Sequence, residues 1–467
     1  PLEKPCTLAA YGSGVRRTIR GGTGSGEVNS RYSVTIEEGL QQAGFTLTGM
    51  EWHTGYEQAR KKAHKAFLKQ LKKDAKAVKQ NFILYGMGKA MPEPEYNLPL
   101  NAEGDAAIYV VSRISGEGND RTPLKGDIRL TDSEVRDILA LDKKFTRFML
   151  VLNVGGVVDL SPVMSVRNIL LLSQLGVETG GALADILLGK ANPSGKLTTT
   201  WAALEEYPEM PDFEDMNETR YREGIYVGYR YFDTFRKPAL FPFGHGLSYT
   251  EFRLGAVAVE ANGAQITVRT FVENIGALAG RQVVQVYLSK PSGKFDAPWQ
   301  ELCAFAKTHE LAPGETESVT CSFTLPEMAA YDTETASYIL EAGDYLVRVG
   351  VSSVETAPAA VLHLDKTVTT LQANNVLGST DFTDLTAPAS TMERPAGVPV
   401  IEIDPVAIAC ETVAYDRTEE VLPEVDALTK EDAALLLIGD FDPNAKGFAS
   451  MIGTAGHHVC GAAGESC

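Results

Sequence analysis

Three short apolar runs with little alternation between apolar and polar positions constrain the fold of the first half of the chain. They are Ala107–Ser112, Phe148–Val154 and Asn168–Ser173. Such runs are typical of parallel strands that are buried on both faces of a sheet. Parallel strands require crossover connections, usually helices, so an α/β fold is expected here.

Helix signals stand between and after these runs. Thr131-Asp-Ser-Glu134 has the spacing of a capping box, which predicts that a helix begins there. A second helix is expected over 179–188 and ends at Gly189. The Lys-rich stretch 57–79 has apolar residues at helical spacing, which favours an amphipathic surface helix. Strands alternating with helices predict a doubly wound α/β sandwich domain over 1–248.

The pattern changes after Tyr249, where strand-like segments begin to alternate between apolar and polar residues. They are Ile266–Val272, Val319–Leu325 and Tyr345–Gly350. Turn signals such as Pro313-Gly314 separate them, which is typical of a β-sandwich. This second domain is expected over 249–366. Residues 367–426 show no sustained period and are expected to form a linker.

Bulk properties exclude several classes of partner. The 467 residues carry a formal net charge of −18, whereas binding to nucleic acid requires a basic surface. No apolar run approaches the ~20 residues of a membrane span. The six cysteines form no CxxC pair or zinc pattern, and the adjacent His457 and His458 are interpreted as a loop. We therefore predict no metal and no cofactor, with reduced thiols in a bacterial cytoplasm.

A first glycine-rich loop, Gly21-Gly-Thr-Gly-Ser-Gly26, follows a strand-like segment. A phosphate-binding loop ends in Gly-Lys-Ser/Thr, but Glu27 follows here. Two interpretations stay open. The segment is either a plain tight turn or a loop whose missing side chains let a small polar ligand approach the backbone and Ser25.

The second glycine-rich loop, Ser112–Arg121, directly follows the first apolar run and has glycines on both sides of Glu117. In open α/β sheets, ligands bind beyond the carboxyl ends of the strands. Glu117 is therefore either an ordinary exposed acid or a catalytic carboxylate presented by a glycine-flanked backbone. Asp120 and Arg121 are expected to form an ion pair that stiffens the loop.

Five segments in order carry a family resemblance: Ile19–Val28, Ser112–Arg121, Asn192–Leu197, Glu223–Phe232 and Phe241–Tyr249. Together they resemble the α/β sandwich domain of family 3 glycoside hydrolases, in particular the β-glucosidase branch. Residues 250–365, which include Pro298–Leu302 and Leu311–Glu315, resemble the fibronectin type III-like domain that follows it in this family.

The resemblance implies a retaining exo-β-glycosidase that removes terminal β-linked glucose by a two-carboxylate mechanism. It assigns the general acid/base to Glu117 and a contact with the sugar in subsite −1 to Ser25. A β-xylosidase or related exo-β-glycosidase remains an alternative. A non-catalytic carbohydrate-binding or scaffold protein is a further one, although the intact Gly-Glu-Gly loop argues against it.

In this family the nucleophilic Asp belongs to a TIM barrel, which some members carry after the other two domains. No barrel precedes the sandwich in these residues, and 427–467 resembles the start of one. We therefore expect no nucleophile in this chain and a second polypeptide that carries the barrel. The chain alone is expected to be inactive, and a homo-oligomer is left open.

Overall fold

The computed structural model describes residues 1–23, 26, 28–86, 89–117, 120–209, 218–374, 380–388, 394–412 and 422–436. Two compact units are present, Pro1–Glu411 and Thr412–Cys467. Over the described residues, no helix is both long and apolar enough to cross a membrane.

The first part of the Pro1–Glu411 unit is built on a five-stranded parallel sheet. Its strands are β1 (Thr7–Tyr11), β2 (Thr46–Thr48), β3 (Ala106–Arg113), β4 (Phe148–Val154) and β5 (Ile169–Leu171). Their order is β2-β1-β3-β4-β5, with every neighbouring pair parallel. After β1 the chain forms β2 on one side of β1, and it then crosses over to form β3 on the other side. The topological switch point of the sheet therefore lies between β1 and β3.

Helices cover both faces of this sheet. The helices of this part of the chain are α1 (Ile36–Gln42), α2 (Met50–Ala77), α3 (Phe82–Gly86), α4 (Asp132–Lys144), α5 (Thr179–Leu187) and α6 (Tyr229–Thr234). Tyr109 of β3 joins one core with Trp52 of α2. Its neighbour Val110 joins the core on the opposite face with Leu40 of α1 and Leu183 of α5. Successive strand residues point to opposite faces, so the predicted doubly wound sandwich is confirmed.

The predicted capping box at the start of α4 is also confirmed. The Thr131 hydroxyl accepts a hydrogen bond from the Glu134 backbone N–H, and the Glu134 carboxylate accepts one from the Thr131 N–H. The Lys-rich stretch lies in α2, which begins seven residues before position 57. Leu71 and Ala75 are its buried residues in the Lys-rich half, as an amphipathic surface helix requires.

A β-sandwich follows. Its strands are β6 (Phe252–Leu254), β7 (Ala258–Asn262), β8 (Gln265–Asn274), β9 (Val283–Ser289), β10 (Glu301–Lys307), β11 (Thr316–Thr324), β12 (Ala330–Asp332), β13 (Ser337–Leu340), β14 (Gly343–Gly350) and β15 (Thr356–Leu364). Inward-facing residues such as Val268, Val286, Phe323 and Val347 form one core between the sheets. The three alternating segments singled out in the sequence correspond to β8, β11 and β14.

Three further strands occur where the sequence predicts a linker. They are β16 (Val368–Gln372), β17 (Val400–Ile403) and β18 (Glu411–Thr412). β16 pairs with β13, and β17 adds to the edge of the sandwich beside β15. These strands have five residues or fewer, which is too short to show a period in the sequence.

The segment 380–388 packs against the α/β domain. The Leu385 backbone N–H donates to the Arg222 carbonyl oxygen over 2.6 Å. Leu385 and Ala387 also pack against a buried cluster that contains Tyr226 and Phe232. The chain beyond the sandwich therefore contributes to both preceding domains.

The Thr412–Cys467 unit contains α7 (Pro423–Asp426) and α8 (Lys430–Leu436) among its described residues. α8 lies within 427–467, the segment that resembles the start of a barrel. His457, His458 and the rest of 437–467 lie outside the described residues, so the expected barrel start stays a prediction.

Candidate active site

Both glycine-rich loops emerge at one edge of the parallel sheet. β1 ends at Tyr11 and β3 ends at Arg113, and the two strands are parallel neighbours. The chain beyond them therefore leaves from the same edge, beside the switch point. Ligands of open α/β sheets bind in the crevice that forms there.

The two loops are in direct backbone contact. A Cβ atom added to Gly116 would lie 2.3 Å from the Thr23 nitrogen and 2.6 Å from the Gly22 Cα, closer than any side chain can approach. The Thr23 hydroxyl donates a hydrogen bond of 2.6 Å to the Glu117 carbonyl oxygen. The two loops were predicted separately from the sequence, and the structure brings them together.

Glu117 lies exposed on its loop, four residues beyond the end of β3. Its carbonyl oxygen accepts the hydrogen bond from Thr23. The residue before it, Gly116, makes the close contact with Gly22. The other predicted site residue, Ser25, lies outside the described residues. The part of its loop that is described, Gly21–Thr23, reaches the backbone of the Glu117 loop.

The far side of the Glu117 loop is anchored by Arg121. Its Nε donates to Asp127 Oδ1 over 2.8 Å, and its Nη1 donates to the Val157 carbonyl oxygen over 2.8 Å. The second oxygen of Asp127 accepts from the Thr122 backbone N–H. The ion-pair partner of Arg121 is therefore Asp127 rather than the expected Asp120, because the chain turns back after residue 122 and brings Asp127 alongside.

The near side of the loop is anchored by Arg113, the last residue of β3. Its Nη2 lies 2.6 Å from a Glu134 carboxylate oxygen, and the two side chains are 4% and 1% exposed. Its Nε also donates to the Asp127 carbonyl oxygen over 3.0 Å. Burial disfavours the Arg113 charge, but the carboxylates of Glu134 and Glu93 outweigh it and raise the Arg113 pKa.

Glu93 is the second carboxyl group of this buried cluster, and it accepts a hydrogen bond from the Tyr56 hydroxyl. Burial, followed by the nearby charge of Glu134, raises the pKa of Glu93 to about 7, although Arg113 opposes the shift. Arg113 thus interacts electrostatically with two carboxyl groups, those of Glu134 and Glu93. Glu117, in contrast, is the acid that the loop presents at the surface.

Asn153 fixes the start of the first loop. This residue of β4 has no exposed surface, and its amide holds Ile19 from both sides. Asn153 Oδ1 accepts from the Ile19 N–H over 2.6 Å, and Nδ2 donates to the Ile19 carbonyl over 2.9 Å. Asn153 was not predicted as a site residue, because its sequence signal is a single amide within an otherwise apolar strand.

Two of the remaining motifs of the resemblance connect the two domains. The Tyr229 ring stacks on Phe243 with centroids 4.5 Å apart, and its hydroxyl accepts from the Leu302 backbone N–H over 2.7 Å. Gln300, which is 1% exposed, donates to Asp233 over 3.0 Å. These contacts join the segments 223–233, 241–249 and 298–302.

The arrangement can perform proton transfer. It presents one exposed carboxylate on a loop that is anchored at both ends, next to a glycine-rich surface that a polar ligand can approach. Among the described residues, His, Cys, Asp and Glu side chains do not gather in any group of three that could hold a metal ion.

Comparisons with known families agree with the two domains. The model of the glycosyl hydrolase family 3 C-terminal domain matches residues 1–249. That of the fibronectin type III-like domain matches residues 282–353. These matches confirm the predicted fold class, an α/β sandwich followed by a fibronectin type III-like sandwich.

Individual proteins are similar over both domains. Beta-glucosidase A of Butyrivibrio fibrisolvens is 34% identical over 436 residues, covering 82% of this chain and 50% of that protein. The structure of beta-glucosidase 3B from Thermotoga neapolitana in complex with glucose has a TM-score of 0.67 at 35% identity, covering 79% of this chain and 52% of that one. A beta-glucosidase structure from Paenibacillus barengoltzii has a TM-score of 0.66 at 33% identity, covering 79% and 42%. The chain thus spans about half the length of the relatives that it matches.

Proposed function

This chain belongs to glycoside hydrolase family 3, and from that premise we propose that it forms the acid/base-bearing part of a retaining β-glucosidase. The observation that carries the proposal is the position of Glu117, exposed on an anchored loop at the switch point and in contact with a second glycine-rich loop. Similar proteins bear the name beta-glucosidase, and one of them was solved with glucose. The proposed substrate is therefore a glucoside or oligosaccharide with a terminal β-linked glucose.

In the proposed mechanism, Glu117 donates a proton to the oxygen of the leaving group while a second carboxylate attacks the anomeric carbon. Glu117 then removes a proton from the water that hydrolyses the glycosyl-enzyme intermediate. The two carboxyl groups of a retaining enzyme stand about 5 Å apart. We assign the second one to the TIM barrel of this family, and we assign a contact with the bound sugar to Ser25.

Glu117→Gln tests the acid/base role in the complete enzyme, isolated together with the barrel. Positioned acid catalysis contributes roughly 10²–10⁴-fold, so hydrolysis of phenyl β-glucoside should fall by that factor. Bond cleavage in 2,4-dinitrophenyl β-glucoside should fall far less, because its leaving group needs little protonation. Azide should restore turnover, since it attacks the intermediate without a general base.

Glu310→Gln is the matched control, because Glu310 is an exposed acid of the β-sandwich. Its rates should equal those of the wild type on both substrates. Equal losses on both substrates in Glu117→Gln, without azide rescue, would remove Glu117 from the acid/base role.

The origin of the second carboxylate is tested with residues 1–467 alone. These residues should show no turnover of aryl β-glucosides, and addition of a TIM-barrel domain of this family should create it. Robust turnover by purified residues 1–467 would contradict this assignment.

We also propose that the protein works in a bacterial cytoplasm. Cys6, Cys303, Cys321 and Cys410 are free thiols, which suits a reducing compartment. Cell fractionation with an antibody against the chain tests this, and recovery from the culture medium would contradict it.

A further inference from the structure

We propose that Gln174 is a positioning residue that holds Glu117 in place through the backbone of Ser115. The proposal rests on the acid/base role proposed for Glu117. Gln174 follows β5, at the carboxyl edge of the sheet and three residues beyond the last strand residue, Leu171. It belongs to none of the sequence motifs described above.

Gln174 binds both backbone groups of a single residue. The Ser115 N–H donates to Gln174 Oε1 over 2.9 Å, and Gln174 Nε2 donates to the Ser115 carbonyl oxygen over 3.1 Å. A side-chain amide has one acceptor and one donor group that match a peptide unit in this way. Ser115 lies two residues before Glu117, so the paired bonds fix the backbone directly ahead of the acid.

The connection reaches across the sheet. β5 pairs with β4, and β4 pairs with β3, which leads into the Glu117 loop. Gln174 thus ties that loop to the end of a strand two positions away. Without this tie, the middle of the loop would depend on its ends, at Arg113 and Arg121, and on the contact with Thr23.

Gln174 is itself held by its neighbours. Ser173 has a φ of 54°, which residues other than glycine rarely adopt. Its backbone N–H donates to the Leu152 carbonyl, and its own carbonyl accepts from Asn153 Nδ2 over 2.7 Å. An unfavourable conformation persists only when its surroundings enforce it, and these bonds do so.

Asn153 extends the same network to the first loop. The Nδ2 group that bonds Ser173 also bonds the Ile19 carbonyl, as described for the site. A second tie joins the Gly176 N–H to the Arg20 carbonyl over 2.8 Å. The turn after β5 therefore holds both loops, one through Asn153 and Gly176 and the other through Gln174.

The hydrogen bonds of Gln174 matter because acid catalysis depends on the position of the acid. A displacement of about 1 Å at a reacting group can lower the rate by about 10²-fold. Ser115 lies in the chain between Arg113 and Glu117, where loss of the paired bonds would free the backbone. Gln174 is neutral and makes no contribution of charge, so its effect should act through position.

Hydrogen exchange on residues 1–467 tests the structural half of the proposal. Gln174→Met keeps the length of the side chain and removes both bonds. Exchange in a peptide covering 112–117 should become at least tenfold faster, while the thermal midpoint stays close to that of the wild type. Asn168→Leu is the matched control, because it removes an amide bond to the Phe148 carbonyl at the opposite end of β4. It should leave exchange in that peptide unchanged.

Kinetics of the complete enzyme test the functional half. Gln174→Met should lower kcat for phenyl β-glucoside by roughly 10–100-fold and change KM little. The loss should be much smaller for bond cleavage in 2,4-dinitrophenyl β-glucoside. A merely structural role would lower both rates together, because it would reduce the amount of folded enzyme.

The outcomes separate this inference from the proposed function. If Glu117→Gln shows no dependence on the leaving group, the acid/base assignment fails, whatever Gln174→Met does. If Glu117→Gln behaves as expected, two results overturn the positioning role of Gln174. They are unchanged exchange in the 112–117 peptide and equal losses on both substrates.

Discussion

Gly39 of α1 lies directly against Gly180 of α5. A Cβ atom on Gly39 would lie 2.1 Å from the carbonyl carbon of Gly180, and one on Gly180 would lie 2.0 Å from the Thr35 carbonyl oxygen. The two helices therefore meet backbone to backbone on one face of the parallel sheet. No rearrangement of a flexible side chain could make room for a methyl group there.

Gly180→Ala should destabilise the α/β domain by about 1–3 kcal/mol or more, which is the typical cost of overpacking a closely packed core. Gly181→Ala is the matched control. Its Cβ would approach only the end of the Glu178 side chain, at 3.5 Å, and alanine favours a helix by about 0.5–1 kcal/mol. Chemical denaturation should rank the variants as Gly181→Ala, wild type, Gly180→Ala. Equal stability of the two variants would contradict the close packing.

Arg113→Met should cost about 3–5 kcal/mol of folding free energy, because it leaves Glu134 charged and buried without its ion-pair partner. The exposed pair Arg253–Glu273 provides the comparison, with side chains 65% and 33% exposed. Arg253→Met should cost less than about 1 kcal/mol. Urea unfolding of both variants at neutral pH measures the difference, and similar losses would show that the buried pair is not critical.

The stability contributed by Glu93 should depend on pH. Its pKa is raised from 4.5 to about 7 in the folded protein, so the folded state keeps a proton that the unfolded state loses between these values. Folding stability from this group is therefore complete below about pH 4.5 and is lost as the pH rises towards 7. The expected slope is about 1.4 kcal/mol per pH unit at most.

Glu93→Gln isolates this effect, because glutamine resembles the protonated acid at every pH. The free energy of unfolding of the wild type relative to Glu93→Gln should fall between pH 5 and 7 and level off above. His53 titrates in the opposite sense, since burial lowers its pKa to about 4, but it is present in both proteins and cancels. A difference that does not change with pH would place the Glu93 pKa near its ordinary value.

Ser25→Ala should weaken binding of the sugar without abolishing chemistry in the complete enzyme. Loss of one hydrogen bond to a sugar hydroxyl costs about 0.5–1.5 kcal/mol, which corresponds to roughly a 2–12-fold loss of affinity. Competitive inhibition by glucose measures it. Inhibition constants equal to those of the wild type would leave the loop with a structural role only.

The sequence could predict the parts of this fold that depend on local pattern. The apolar runs around Tyr109 and Leu150 revealed buried parallel strands, and Thr131 with Glu134 revealed the start of α4. The strands β16 and β17 were not predicted, because strands of five or four residues cannot establish a period.

The candidate site likewise contains residues that could be predicted from the sequence and residues that could not. Glu117 could be singled out because glycines flank it after an apolar strand, and the family resemblance gave it a role. Gln174 gave no local signal, since its partner Ser115 lies 59 residues earlier in the chain. Arg121 was paired with Asp120 on proximity in sequence alone, whereas the turn after residue 122 brings Asp127 closer.

The return of Leu385 to the α/β domain has a consequence for synthesis on the ribosome. Its hydrophobic neighbours Tyr226 and Phe232 are made roughly 150 residues earlier. At the usual elongation rate of ~5–20 residues per second, Leu385 is synthesised on the order of ten seconds after them, and until then it cannot cover them. The first domain can thus form its sheet early in translation, but one apolar patch stays open until the sandwich has been made. A nascent chain paused in that interval would present this patch to chaperones.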